Sequence, residues 1–322
     1  MKLRLFATIL AMLASTSGAR AQAKNPPETK NAALLYLTAF AEMQEPAADK
    51  ATQELLRKTL AGETAWNETE LGPILDANTQ SIRTMQQATN LPECDWGPEY
   101  SEGLKATAAY MQARALARLN TLEGIRQMAS GDSQTAVNTW LAGIHFSQDV
   151  THGRPIISVL IAKQLMLPNL RVLTEESKKG ELNEEQIKQV YAAVRDLPED
   201  GLDWRGAWRA EYERGERFLE KWRSATNPRA EFKALAGIPA PKKGFPPTTL
   251  EIQAFREYML AVQAALRESP EKAKTLLDGL ESKRRNLGEL EQNLIPDPQK
   301  LNAARTEVVT ERTALMQALV SK

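Results

Sequence analysis

The chain has 322 residues, 42% hydrophobic and 25% charged, with 41 Lys plus Arg against 41 Asp plus Glu. That balance excludes a disordered chain, a collagen-like fibre and a disulfide-stapled miniprotein, and the lack of a basic or acidic excess argues against nucleic-acid binding. Aromatics are scarce at 6%. The abundance of Ala, Leu, Glu, Gln, Lys and Arg predicts an all-α protein.

Residues 1–23 read as a secretory signal peptide. Lys2 and Arg4 precede the apolar run Leu5 to Ala14, and the small, polar stretch after it ends in Ala21-Gln22-Ala23. Ala19-Arg20-Ala21 is the alternative cleavage pattern. Ten apolar residues fall well short of the roughly 20 that span a bilayer. The expectation is a soluble periplasmic or extracellular protein with no transmembrane span after cleavage. Cys94 is the only cysteine, so no intramolecular disulfide forms.

In the mature chain, helical periodicity predicts helices over 29–44, 48–61 and 67–89. A loop fixed by Pro92, Gly97 and Pro98 follows. Residues 103–129 and 133–150 read as a hairpin around Ser130-Gly131-Asp132. A further helix from Pro155 is apolar nearly all round to Leu167, and Pro168 is expected to kink or break it. Lys178-Lys179-Gly180 ends the first half, giving a helical-hairpin domain over 24–180. The second half, 181–322, reads as a long-helix bundle. It opens with helices over 183–196 and 203–224, then a Pro/Gly-rich loop over 227–249. Three helices follow, at 248–268, 270–294 and 299–320. Their seams are Ile252, Phe255, Met259, Val262 and Leu266, then Leu276, Leu280, Leu287, Leu290 and Leu294, then Leu301, Ala304, Val308 and Leu315. Short loops between them predict antiparallel neighbours.

Gly124, Gly131, Ala136, Trp140 and Gly143 match the order and spacing of a tetratricopeptide-type unit. The hairpin at 124–144 therefore resembles that family. Only one clear unit is present, fewer than the three or so that a solenoid needs. A wider resemblance rests on Asn31-Ala32-Ala33 with Tyr36, on Pro92-Glu93-Cys94-Asp95-Trp96-Gly97, and on Gly131-Asp132 with Ala136. On these residues the stretch 31–175 is similar to a family of exported bacterial proteins of unknown function. The resemblance implies an all-helical exported protein with no known activity.

Three groups of residues are candidates for chemistry or recognition. His145, Asp149 and His152 share one helical face at offsets of four and seven, which suits a divalent metal such as zinc. The competing reading packs His145 at a helix interface and lets His152 cap a helix end. Cys94 is either a nucleophile or a structural thiol anchoring its loop; the second is favoured because no base is near it in sequence. Trp204, Trp208, Tyr212 and Trp222 form an aromatic stripe interleaved with arginines. They are either a partner surface or a core seam. The chain has no nucleophile elbow, P-loop, dinucleotide fingerprint or haem motif. No other cofactor is implied. The functional expectation is an interaction or scaffold role in the bacterial envelope, with a protein or peptide partner. The alternative is a metal- or small-ligand-binding protein on the His145/Asp149/His152 face.

Overall fold

The computed structural model describes residues 29–44, 49–97, 107–152, 156–236, 248–287 and 295–321. The expected signal peptide and cleavage site lie outside the described residues, as do Leu290 and Leu294 of the expected seam. Contacts divide the chain into Met1–Lys30 and a unit spanning Asn31–Lys322. The protein is all-α: the described residues form thirteen helices and no strand. In chain order these are α1 (Ala32–Glu42), α2 (Lys50–Leu60), α3 (Glu68–Ala77), α4 (Thr79–Ala88), α5 (Thr107–Ala129), α6 (Ser133–Thr151) and α7 (Ile156–Lys179). They continue with α8 (Glu184–Arg195), α9 (Trp204–Ser224), α10 (Pro228–Ala236), α11 (Thr249–Ala265), α12 (Pro270–Arg285) and α13 (Pro298–Val320).

Most helices start where the sequence supplies a cap. Asn31, Asp49, Asn67, Asp132, Asn183, Asp203, Thr248, Ser269 and Asp297 each accept a hydrogen bond from a first-turn amide. Each cap satisfies an amide that the helix leaves unpaired, worth about 1 kcal/mol. The expected helix over 67–89 is two helices, broken at Asn78. The Asn78 amide donates to the Ile74 carbonyl and accepts from the Gln44 amide, drawing the backbone out of helical pairing. Pro168, in turn, does not end α7. The helix runs through it, and the buried side chain of the next residue, Asn169, donates to the Leu165 carbonyl at 2.8 Å. At 24 residues α7 is long and apolar enough, by length and composition alone, to cross a bilayer. Its buried residues pack instead against α5, α6 and α13.

Two close approaches depend on positions that lack side chains, Gly124 where α5 meets α6 and Gly143 where α6 meets α7. A Cβ on Gly124 would sit 2.2 Å from Trp140 Nε1, and one on Gly143 would sit 2.7 Å from the Asn169 amide. Trp140 is buried and its indole donates to the Thr121 carbonyl. Buried polar groups between the helices are paired: Asn120 donates to the Thr139 carbonyl, and Thr121 donates to Asn169.

The two halves expected from the sequence share one hydrophobic core. The C-terminal helix α13 lies along α7. Lys163 pairs with Glu307, Arg171 with Glu311, and Ser177 donates to the Ala318 carbonyl, so the two helices run parallel. Within the C-terminal segments α11 buries its expected seam, and so does α13. In α12 the buried residues are Pro270, Ala273 and Leu277, while Leu276 is 43% exposed. Of the described residues of the seam expected there, Leu280 packs against the core and Leu287, just past the helix, is buried, while Leu276 faces solvent. The expected loop over 227–249 also contains a helix, α10, whose Phe232 packs against Phe218 and Trp222.

Arg305 locks this region. Its guanidinium is buried, contacts the Asp200 carboxylate at 2.9 Å and donates to the Glu268 carbonyl at 2.6 Å. One side chain of α13 thus ties the turn before α9 to the turn after α11. Removing one partner of such a pair strands a buried charge. Arg305→Met should therefore lower unfolding stability by about 3–5 kcal/mol in denaturant titration. Adding Asp200→Asn to it should recover most of that loss.

Candidate functional site

Polar and aromatic groups converge where α1, the 91–97 segment and the end of α6 meet. Asn31 starts α1 and also holds the segment: its Nδ2 donates to the Asp95 carbonyl at 2.7 Å, and its Oδ1 accepts from the Asp95 amide at 2.8 Å. The Ala32 amide donates to the Glu93 carbonyl at 2.7 Å. Gly97 has φ of 81°, a conformation that favours glycine, and its amide donates to Asp95 Oδ1. These bonds fix Cys94 and Trp96 against α6.

Asp149 is the shared partner. Its carbonyl accepts from Trp96 Nε1 at 2.8 Å, from the His152 amide at 3.3 Å and from Cys94 Sγ at 3.7 Å. Its Oδ2 accepts from the Tyr36 hydroxyl at 2.5 Å. Tyr36 is fully buried, stacks on Trp96 with ring centroids 5.6 Å apart, and lies 4.6 Å from the Phe146 ring. Phe40 completes the aromatic wall. Burial raises the Asp149 carboxyl above the usual aspartate range, opposed by the Tyr36 hydrogen bond and by the histidines. Burial and the adjacent carboxylate push the Tyr36 phenol well above its ordinary value, so it stays a donor.

The expected metal site does not assemble. Asp149 is turned inward onto Tyr36, whereas His145 and His152 are exposed. Among the described residues no group of three His, Cys, Asp or Glu is placed to hold a metal ion. A common helical face is insufficient here because the carboxylate is already committed to another helix. Cys94 donates to a backbone carbonyl, which is the geometry of an anchoring thiol. The expected partner surface on α9 is also corrected. Trp204, Trp208 and Trp222 are buried, and Tyr212 is half-buried. The Trp208 indole donates to the Met259 carbonyl at 2.9 Å and that of Trp204 to the Asp200 carbonyl at 3.1 Å. The stripe is the seam by which α9 packs into the core.

An open, mainly apolar groove of about 600 Å³ lies elsewhere, between α8 and the last turns of α13. Tyr191 forms one wall. The other carries two helical rows, Arg312-Met316-Val320 and Thr313-Gln317-Ser321. Arg312 donates to the carbonyls of Val194, Arg195 and Glu199, closing the end of α8. Val320 is 70% exposed. The groove was not expected from the sequence. Its only signal is that Met316 and Val320 form a second apolar row beside the Leu301–Leu315 seam. No family model, curated protein or solved structure matches the chain.

The latch around Asp149 has a testable pH signature. The folded state holds the Asp149 proton at pH values where the unfolded chain has lost it. Its contribution is therefore complete below the ordinary aspartate pKa and is lost as pH rises through the raised folded value. Asp149→Asn should remove that slope from stability measured against pH. Tyr36→Phe should cost about 1–3 kcal/mol and move the Asp149 titration, followed by carboxyl NMR, to still higher pH.

Proposed function

We propose that this is an exported interaction protein of the bacterial envelope, and that the groove between α8 and α13 receives an amphipathic segment of a protein partner. The observation that carries the reading is the groove itself. Pockets for small ligands enclose most of the ligand surface. This one is open along its length and is floored by side chains repeating every turn of α13, the pattern into which the ridges of another helix fit. Tyr191, Met316 and Val320 supply apolar contact, and Thr313, Gln317 and Ser321 supply a polar rim. We read the α5–α6 hairpin as a tetratricopeptide-like unit serving as part of the scaffold. The alternative of a metal-dependent role has no geometric observation in its favour.

A photo-crosslinking residue at position 320 tests the groove in the native envelope, with position 250 as the control. Leu250 is 82% exposed and is not part of the groove lining. A discrete protein adduct at 320 and none at 250 is expected, and Val320→Glu should weaken that partner by about tenfold or more. Equal labelling at both positions, or none at 320, would overturn the reading.

A further inference from the structure

A second cavity, of about 290 Å³, lies at the start of α9 against the end of α11. It is lined by Asp203, Arg205, Gly206, Arg209, Gln263 and Arg267. Its position follows from how the two helices pack. Gly215 abuts the Phe255 ring, and Trp208 bonds the Met259 carbonyl. The next step of this antiparallel ladder brings Arg205 and Arg209 opposite Gln263 and Arg267. Met259 and Gln263 lie one turn apart on α11, and Arg267 follows in the turn just past its end.

Three arginines therefore converge on one cavity, and none of them forms an ion pair among the described residues. Elsewhere on the same two helices arginines find carboxylates: Arg214 pairs with Glu211, Arg223 with Glu220, and Arg256 with Glu216 and Glu220. Around the cavity the acids are committed. Asp200 is paired with Arg305, and Glu268 with Lys272. Asp203, the one acid in the lining, accepts from the Gly206 amide at 2.8 Å, and a Cβ on Gly206 would strike its carboxylate. Like charges one turn apart on a helix, as Arg205 and Arg209 are, destabilise it unless an anion lies between them.

We infer that this cavity binds a phosphoryl group. Three guanidinium forks match the tetrahedral oxygens of a phosphate, which accepts two bonds from each fork. The Gln263 amide adds a donor with no further charge. The cavity exceeds a phosphate ion in size, so the phosphoryl group enters with a small organic part or as a lipid headgroup. This site is separate from the α8–α13 groove and does not depend on its occupant.

The test is isothermal titration of the full chain with inorganic phosphate at low salt, alongside flotation with phosphatidylglycerol vesicles. Arg209→Gln and Arg267→Gln alter exposed side chains. Arg217→Gln removes an equal charge from an exposed position of α9 outside the cavity. Saturable binding of phosphate with a Kd of about 1 mM or tighter is expected, weakened about tenfold by either cavity variant and unchanged by Arg217→Gln. Binding to vesicles alone, with the same dependence on Arg209 and Arg267, assigns the phosphoryl group to a headgroup. Absence of binding to both probes, or equal weakening by all three variants, overturns the inference.

Discussion

The parallel packing of α13 on α7 is the contact on which the rest of the fold depends. It returns the C-terminus to the apolar helix of the first half, so the two halves bury one core. An apolar helix such as α7 needs cover on most of its circumference. The hairpin covers one side through α5 and α6, and α13 covers another. The same placement of α13 sets Arg305 against Asp200, Arg312 against the end of α8, and the Met316 row beside Tyr191. The groove is thus a by-product of how the core closes: the last turns of α13 bury Leu315, Ala318 and Leu319 and leave the Met316 and Val320 row beside Tyr191 uncovered.

The Asp149 cluster works on a different principle. Its residues come from α1, from α6 and from the 91–97 segment, and the bonds made by Asn31, Cys94 and Trp96 restrain the last of these. The short stretch 91–97 has no helix to order it, so side-chain bonds from Asn31 and the indole of Trp96 do that work. Burying a carboxylate is costly unless it is hydrogen-bonded, and Tyr36 meets that requirement from α1. With Tyr36 fully buried, a ligand has no access to the phenol. The arrangement is a latch in which aromatic packing supplies contact area and hydrogen bonds supply direction.

The arginine cavity and the salt-bridged part of α9 show how one helix serves two environments. Toward its C-terminal end, glutamates from α9 neutralise arginines from α9 and α11. At its N-terminal end the local acid is held by the helix cap, and the cations face open space. The total charge of the chain is zero. The pattern is therefore one of placement, and composition gives no hint of it.

Helical class and most helix starts were legible in the sequence because they depend on near neighbours. Asn31, Asp132, Asn183 and Asp203 act within three residues of themselves, and the Gly124/Trp140 relation spans a single hairpin. The errors came from competition with distant groups. Asn78 breaks a helix partly through Gln44, and packing of α12 buries Leu277 and leaves Leu276 outside. The candidate sites were the least legible. His145, Asp149 and His152 share a face, as the periodicity said, but Tyr36 of another helix takes the carboxylate. The α9 stripe has the spacing of either a surface or a core, and its burial was decided by where α11 lies. Sequence by itself determined what each helix is and which residues are apolar, since both follow from local chemistry. Tertiary structure alone decided which apolar rows face each other, which carboxylates meet which cations, and where cavities remain, because those depend on pairings between segments that no local pattern encodes.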